Sequence, residues 1–380
     1  MKIVYISNFM NHHQLPIAQR LYEKYGDDYR FVALSGLPKE RQKFGYEDMN
    51  HSFPFVVCAY DSPELQEYAN RITLDCDILL AGSCPDSYIK RRTDAGKIVI
   101  KTSERFFKSE SSLKEKFHNF LSALKHLAPF QGKKLYFLCA SAYTSVDINR
   151  FTRFTGKAYK WGYFPEAKKY EDIEKIISSK KKNSILWVGR FLDLKHPDAA
   201  IRTAKKLKEN GYSFELNIIG TGVMEQELKN MISDYDLEND VHILGSMKPE
   251  QVREYMEQSQ IYLFTSDRNE GWGAVLNESM NSACAVVANR EIGSVPYLLN
   301  NEKNGLIYDS EEELYLCVKK LMNDSLLQRE LGKAAYRTIA DCWSPEIAVE
   351  RLVQFICEIC KSGSCTLFEN GPCSKDEKRR

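Results

Sequence analysis

The chain has 380 residues, of which 43% are hydrophobic and 28% are charged, and its formal net charge is +1. This length exceeds what one hydrophobic core usually organises, so we predict two domains, and the composition argues against a disordered chain. We expect no nucleic-acid partner.

The charge differs between the two halves of the chain. Residues 1–165 carry a formal charge of +7 and residues 166–380 carry −6, which suggests separate tasks for the two halves. No apolar run approaches the ~20 residues that span a bilayer. Residues 1–6 lead directly into an apolar strand rather than a secretory signal. We therefore expect a cytoplasmic protein.

The first half alternates short apolar runs with helical patterns. This alternation is typical of a parallel sheet with crossover helices. The predicted strands are 2–7, 31–34, 53–58, 77–81, 97–102 and 134–139.

The turn after the first predicted strand contains polar side chains and no glycine. Asn8, His12 and His13 lie in this turn, where they can hydrogen-bond a ligand, and the histidines can exchange protons near neutral pH. The alternative is that His13 is a helix-start residue facing solvent.

The second half repeats the alternating pattern without an internal sequence repeat. Its predicted strands are 184–188, 214–219, 241–244, 261–265 and 285–288. The charged stretch 166–182 before them is predicted to be a solvated linker or interdomain helix. A last amphipathic helix is predicted over 345–361, followed by a loosely held polar tail over 362–380.

Four cysteines lie at or after the end of the last predicted helix. The single pair Cys357 and Cys360 with irregular later spacing at Cys365 and Cys373 is weak evidence for zinc. Cys357 and Cys360 share one helical face, so we predict that they are buried.

The segment 269–280 is predicted to carry the chemistry. It follows an apolar strand, two glycines open a helix, and Glu270 and Glu278 stand eight positions apart. Carboxylates at both ends and free backbone N–H groups between them suit an elongated ligand with a hydroxylated group at each end and a central anion. A nucleotide-sugar has this form.

The same segment resembles the E-x7-E signature of the large retaining glycosyltransferase family with the GT-B fold, often called family 4. The resemblance extends over about 184–348 and includes the Gly-Arg pair 189–190 with Lys195, the Gly-x-Gly turn 220–222 and the strand 241–244. It implies an α/β protein of the GT-B class, with two Rossmann-like α/β/α domains facing across a cleft. The implied domains are an acceptor domain over 1–165, joined by the helix 345–361, and a nucleotide-sugar donor domain over 166–344.

The resemblance also implies roles for residues. Arg190 and Lys195 would bind the diphosphate and stabilise it as it leaves, Glu278 would bind the ribose, and Glu270 the donor sugar. The other residues assigned to the donor are Gly220, Gly222, Gly245, Ser246, Met247, Gly271, Trp272, Gly273, Ala274, Val275 and Leu276. Many relatives place a histidine after the strand 97–102, where this chain has Glu104, which is a candidate for acceptor contact or proton acceptance.

Similar enzymes can dock a basic first domain on anionic lipid. The segment 111–128 has an apolar stripe with lysines off it, and further positive charge lies at Lys90, Arg91, Arg92, Lys133 and Lys134. The interpretation that we favour for the stripe is a helix packed on its own sheet. Peripheral contact with the inner face of the membrane is the alternative.

The expected activity is transfer of a sugar from a UDP- or GDP-sugar to a hydroxyl, with retention of configuration, in the synthesis of a surface polysaccharide or its lipid-linked precursor. Front-face attack, with the leaving phosphate assisting deprotonation, is the expected mechanism. No D-x-D motif stands at a strand end, so we expect no cofactor and no essential metal. The alternatives are a GT-B nucleotide-sugar epimerase and a non-catalytic nucleotide-sugar-binding protein.

Overall fold

The computed structural model describes residues 1–38, 48–107 and 112–376. It separates into two compact units. Unit 1 comprises Met1–Glu166 with Pro345–Arg380, and unit 2 comprises Ala167–Ser344.

Unit 1 contains a seven-stranded parallel sheet in the order β3-β2-β1-β4-β5-β6-β7. Its strands are β1 Ile3–Ser7, β2 Tyr29–Ala33, β3 Val56–Cys58, β4 Ile78–Ala81, β5 Val99–Ser103, β6 Leu135–Cys139 and β7 Ala158–Lys160. Its helices up to residue 150 are α1 Leu15–Tyr25, α2 Pro63–Asp75, α3 Asp86–Asp94, α4 Leu113–His126 and α5 Thr144–Arg150. The six predicted strands form with shifted ends. We did not predict β7, because three residues are too few to show a periodicity.

Unit 2 contains a six-stranded parallel sheet in the order β10-β9-β8-β11-β12-β13. The strands are β8 Ser184–Val188, β9 Glu215–Ile219, β10 Val241–Ile243, β11 Ile261–Phe264, β12 Ala285–Asn289 and β13 Leu306–Tyr308. The helices are α6 Ile173–Ser178, α7 Pro197–Glu209, α8 Glu225–Asp234, α9 Pro249–Gln258, α10 Val275–Asn281, α11 Val295–Leu298, α12 Glu311–Asn323 and α13 Ser325–Asp341. The central strands are apolar and buried, as expected for a parallel sheet covered by helices.

The last helix, α14 Pro345–Ser362, belongs to unit 1 and packs against α1. Arg20 on α1 pairs with Glu346 at the start of α14 and, at 2.6 Å, with Glu166. One guanidinium thus ties together three segments of unit 1 that are distant in sequence. No helix in the described ranges combines the length and the apolarity needed to cross a membrane.

The predicted loose tail is in part an ordered extension of the sheet. The backbone of Lys160 on β7 exchanges hydrogen bonds of 2.8 Å with Cys373 and Ser374, and Asp376 N–H donates to Ala158 O at 3.0 Å. The prediction of a loosely held tail is therefore wrong for residues 371–376, because backbone pairing does not depend on apolar side chains.

The burial of the terminal cysteines also differs from the prediction. Cys357 and Cys360 are exposed, whereas Cys365 and Cys373 are buried. Sharing a helical face did not lead to burial, since α14 buries a different face that contains Leu352, Phe355, Ile356 and Ile359.

One cation of the predicted basic stretch 90–92 is buried. Arg92 is 1% exposed and donates to the carbonyl oxygens of Leu74, Cys76, Asp77 and Ile98. It is therefore a structural residue and adds nothing to a basic surface.

Lys180 lies in the stretch predicted to be solvated, yet its side chain is buried. Its ammonium group donates to Met256 O, Glu257 O, Ser259 O and Ser282 O at 2.8–3.2 Å. Burial lowers the pKa of this lysine. The end of the stretch is thus fixed to unit 2 rather than solvated.

Most of the apolar stripe of the segment 111–128 is exposed, which contradicts the interpretation that we favoured, whereas its last member, Leu127, is buried in the core of unit 1. The exposed fractions of the other members are 85% at Leu113, 62% at Phe117, 38% at Phe120, 48% at Leu121 and 44% at Leu124. Helix α4 instead buries Asn119 and Ala123. The stripe up to Leu124 is therefore a surface feature among the described residues.

Candidate active site

The loops that follow the adjacent strands β8 and β11 are joined by hydrogen bonds at the carboxyl ends of these strands. Thr265 accepts a hydrogen bond of 2.8 Å from the Trp187 indole and donates one of 2.7 Å to Lys195 O. Asp267 N–H donates to Leu194 O at 3.0 Å. These contacts fix the backbone on both sides of the predicted catalytic residues.

Lys195 and Glu270, predicted independently from two motifs, form an ion pair. Their side chains are only 17% and 13% exposed, and Ser266 Oγ donates to Glu270 Oε2 at 3.2 Å. A partly buried ion pair is screened less by water than a surface pair. The structure thus brings together the residue predicted to bind the diphosphate and the residue predicted to bind the donor sugar.

Arg190 lies in the loop after β8 and is exposed. Its guanidinium makes no hydrogen bond or ion pair within the described ranges, whereas Arg202 of the same unit pairs with Asp198 and Glu311. Arg190 is therefore available to an anionic ligand.

The two glycines of the turn after β9 are required because the backbone of the neighbouring loop lies too close for a side chain. A Cβ atom on Gly220, whose φ is +145°, would lie 1.8 Å from Gly189 O, and one on Gly222 would lie 2.4 Å from Phe191 O. Gly220 N–H also donates to Gly245 O at 2.8 Å. We predicted close approach to a nucleotide here, and the structure shows close approach of backbone to backbone.

The predicted base loop follows β10. Gly245 has a φ of +74°, Ser246 is exposed, and Met247 is partly exposed. A Cβ atom on Gly245 would meet open space. Glycine is therefore favoured here by the positive φ of the turn and not by a close contact.

The start of α10 differs in part from the predicted phosphate site. Gly273 has a φ of +77°, and a Cβ atom there would lie 2.2 Å from the Phe264 ring. The N–H of Leu276 donates to Gly273 O at 3.0 Å. The predicted use of Leu276 N–H for phosphate is therefore incorrect in this structure, because a backbone carbonyl already accepts it. Ala274 and Val275 begin the helix as predicted.

The Trp272 side chain belongs to the core of unit 2. It is fully buried, its indole donates to Asn277 Oδ1 at 2.9 Å, and its ring packs on Trp343 and Tyr297. The side chain therefore has a packing role, and the predicted donor contact of this residue stays a prediction. Gly271 beside it is also buried.

Glu278 lies on the first turn of α10. Burial raises the pKa of this carboxyl, and the nearby Arg253 opposes the increase. Arg253 also donates to Glu278 O at 3.2 Å and to Asn281 Oδ1 at 2.9 Å. The carboxylate is therefore poorly solvated before any ligand binds.

Unit 1 has its own cavity of about 490 Å³ at the carboxyl ends of its central strands. Three of the four predicted acceptor residues line it: Asn8, His13 and Glu104. The fourth, His12, is exposed and contacts the His13 ring, with 3.7 Å between centroids. Tyr163 connects two of them, since its hydroxyl donates to Glu104 and its ring stacks on His13 at 5.4 Å.

Sequence reasoning missed Thr265, Arg253 and Tyr163. Thr265 is the last residue of the predicted strand 261–265 and directly follows β11, and a position at the carboxyl end of a parallel strand is a usable signal for a site residue. Arg253 and Tyr163 carry no local signal, because the first acts from the neighbouring helix α9 and the second follows the unpredicted strand β7.

One group of potential metal ligands occurs among the described residues. His51, Cys58 and Asp61 of unit 1 bring their ligand atoms within 4.8 Å of one another. None of them was a predicted site residue, and the expected absence of an essential metal stays a prediction.

Two parallel-sheet α/β units of this kind define the GT-B fold, and solved structures agree. HepE of Anabaena in complex with UDP has a TM-score of 0.69 and 14% identity, over 94% of this chain and 100% of that protein. TarM of S. aureus, also solved with UDP, has a TM-score of 0.56 and 17% identity, over 73% and 55%. These likenesses establish the fold.

Residues 168–338, somewhat less than half of the chain, match the model of the family Glycosyl transferases group 1. AmsK of Erwinia amylovora, an amylovoran biosynthesis glycosyltransferase, is 33% identical over 126 residues, 32% of this chain. A Campylobacter jejuni N-acetylgalactosaminyltransferase acting on a diphospho-undecaprenol glycan is 30% identical over 39% of this chain. The chain covers 31% and 40% of the length of these two relatives. Unit 2 is thus similar to proteins of the group 1 family.

Proposed function

We propose that the protein transfers a sugar from a nucleoside-diphosphate sugar to a hydroxyl acceptor with retention of configuration. The observation that carries the proposal is the Lys195–Glu270 ion pair at the carboxyl end of the unit 2 sheet, with Arg190 exposed in the same loop as Lys195. Open parallel sheets bind ligands at this end. The family match to the same unit supports the assignment.

The ion pair would open when the donor binds. Glu270 would then accept hydrogen bonds from sugar hydroxyls, and Lys195 with Arg190 would face the diphosphate. Negative charge accumulates on the departing phosphate, so cations held near it stabilise the transition state more than the ground state. The proposed reaction is front-face attack by the acceptor, with the leaving phosphate taking up its proton and with no protein nucleophile.

UDP is the proposed carrier, because HepE and TarM were solved with UDP. The acceptor is proposed to be a surface polysaccharide or its lipid-linked precursor, as for the Campylobacter relative.

Thermal unfolding with UDP and GDP, each with and without magnesium, tests which nucleotide the donor contains. A ligand at a hundred times its dissociation constant adds about 2.7 kcal/mol of stability. Failure of both to raise the melting temperature would refute the donor site.

Donor-only incubation separates transfer from isomerisation. A transferase is expected to release UDP at a rate that rises with acceptor, and NMR of the product gives the anomeric configuration. An epimerase would convert the donor sugar without an acceptor, and a non-catalytic binder would release no UDP. An inverted product would overturn the assignment of retention.

On acidification, the affinity for UDP is expected to fall at a higher pH than it would if Glu278 had the pKa of an ordinary glutamate. Glu278 must be ionised to accept hydrogen bonds from both ribose hydroxyls, and its pKa is raised from 4.5. Affinity should be constant well above the raised pKa and decrease as pH falls through it. The stability of the free protein depends on pH in the opposite direction. The stabilisation linked to Glu278 is fully present below the pKa of this residue in the unfolded chain and is lost as pH rises through its pKa in the folded protein.

Calorimetric titration of UDP across the acidic range measures the first effect. Glu278→Gln should bind UDP more weakly and remove this part of the pH dependence. Glu225→Gln, an exposed glutamate paired with Lys229 in the same unit, is the control and should behave as wild type. The same pH dependence in Glu278→Gln and wild type would exclude the ribose role.

We further propose that the enzyme docks on the cytoplasmic face of an anionic membrane through α4. The supporting observation is the exposed stripe that contains Leu113, Phe117 and Leu124, flanked by the exposed Lys114 and Lys125. An apolar face with lysines beside it suits the boundary between acyl chains and anionic headgroups.

Phe117→Gln combined with Leu124→Gln is expected to weaken binding to phosphatidylglycerol vesicles by about tenfold or more, since each large apolar side chain that is buried contributes about 1.5–3 kcal/mol. Co-sedimentation at low salt measures the binding. Leu326→Gln removes a 75% exposed leucine from unit 2 and should leave it unchanged. Equal sedimentation of all variants, or no preference over neutral vesicles, would contradict docking through α4.

A further inference from the structure

The cavity of unit 1 contains a cation that the predicted roles do not use. The cavity has a volume of about 490 Å³ and is lined by residues from 5–17, 82–84, 101–106, Ala140 and 161–164. Ligand pockets commonly measure roughly 300–1,000 Å³. All of its lining residues belong to unit 1, so its chemistry can be considered within this unit alone.

The walls of the cavity suit a carbohydrate. Asn8, Gln14 and Thr102 offer amide and hydroxyl groups, and Trp161 and Tyr163 offer aromatic rings. A few polar groups among aromatic side chains are the usual means of orienting a ligand with both hydroxyl and C–H surfaces. Glu104 adds a carboxylate, which the Tyr163 hydroxyl holds in place.

Lys101 is the unexplained cation. It lies in the interior strand β5, where its backbone pairs with Ala81 and Phe137, and it is partly buried. Its ammonium group makes no hydrogen bond or ion pair with any residue of the described ranges. By contrast, Lys90 and Lys133 of the same unit both pair with Asp94.

Among the described residues, no carboxylate in the cavity lining forms an ion pair with this ammonium group. The one carboxylate in its lining, Glu104, accepts its hydrogen bond from Tyr163 and forms no ion pair with Lys101. Cys84 also lines the cavity, but burial raises its pKa to about 11, which keeps the thiol neutral near pH 7. A partly desolvated ammonium without a counter-ion is best satisfied by an anionic ligand.

We propose that this cavity binds an acceptor that carries an anionic group, a carboxylate or a phosphate, and that Lys101 pairs with that group. The inference rests on the proposed glycosyl transfer and specifies its acceptor as an acidic sugar or a sugar phosphate. Neutral sugars of the same size leave Lys101 unpaired and are the poorer ligands.

Binding of three soluble probes to the full chain tests the inference without any nucleotide. Glucuronate supplies the carboxylate, glucose 6-phosphate supplies the phosphate, and glucose is the neutral reference. We expect at least one anion to bind about tenfold or more tightly than glucose, as for a hydrogen bond to a charged group. The anion that is preferred identifies the source of the charge.

Lys101→Met should remove the preference for the anion and leave the weak affinity for glucose unchanged, whereas Lys101→Arg should retain most of it. Lys90→Met, which removes an exposed lysine outside the cavity, is the matched control and should behave as wild type. A wild-type protein without preference, a preference that survives Lys101→Met, or equal loss of all three ligands would overturn the inference.

The outcome can be separated from failure of the proposed function. Stabilisation by UDP reports on unit 2, and the anion preference reports on unit 1. Stabilisation by UDP without an anion preference would refute the role of Lys101 alone. An anion preference without nucleotide binding would refute the glycosyl transfer and leave an anion site in unit 1.

Discussion

Lys195→Met is expected to lower the turnover number by about a hundredfold to a thousandfold, the loss typical of one electrostatic group in a transition state. The substitution removes a cation from the loop after β8 and leaves Glu270 without its ion-pair partner. Arg190→Ala should cause about a hundredfold loss for the same reason. Steady-state kinetics with a saturating acceptor measures both.

Lys206→Met is the matched control, because Lys206 pairs with Glu312 at an exposed position of the same unit. Lys195→Met combined with Glu270→Gln should lose less activity than the product of the two single losses, since residues in direct contact are not additive. Turnover within a few-fold of wild type in Lys195→Met would remove this lysine from the mechanism.

Lys180→Met is expected to reduce the free energy of unfolding of unit 2 by roughly 3–5 kcal/mol, because the buried carbonyls lose a charged donor and no water replaces it. Methionine fills a similar volume, so the loss reports on the hydrogen bonds more than on packing. Urea unfolding followed by tryptophan fluorescence suits the measurement, since Trp187, Trp272 and Trp343 lie in unit 2 and Trp161 in unit 1.

Lys181 and Lys182 provide controls within the same run of lysines. Both side chains are exposed, so Lys181→Met and Lys182→Met should change the unfolding free energy by no more than about 0.5 kcal/mol. If all three substitutions had the same small effect, the buried ammonium would contribute no stability.

The strands could be predicted because parallel strands buried on both faces are nearly continuous apolar runs. Ile261–Phe264 and Leu135–Cys139 are examples. The Lys195–Glu270 pair was within reach of sequence reasoning for a similar reason: both residues follow adjacent strands, whose carboxyl ends share one edge of the sheet. Their mutual ion pair was not predicted, since it depends on how two loops pack.

The incorrect predictions concern the burial of side chains, which depends on whether another segment packs against them. Periodicity shows that α4 has an apolar face, but it cannot show whether another element packs on that face. Likewise, nothing in Lys180-Lys181-Lys182 distinguishes the buried lysine from its exposed neighbours, because the four carbonyls come from residues 256–282. The cavity around Lys101 is another such case, as its walls come from five separate segments.

The return of α14 and residues 371–376 to unit 1 sets an order for folding during synthesis. Domains generally fold as units, and those nearer the N-terminus usually fold first. Here unit 2 is continuous over Ala167–Ser344, whereas α1 and β7 receive their partners only after unit 2 has been made. We therefore expect unit 2 to complete its fold before unit 1 does, and until residues 371–376 pair with β7 this strand is an open edge that is able to mispair.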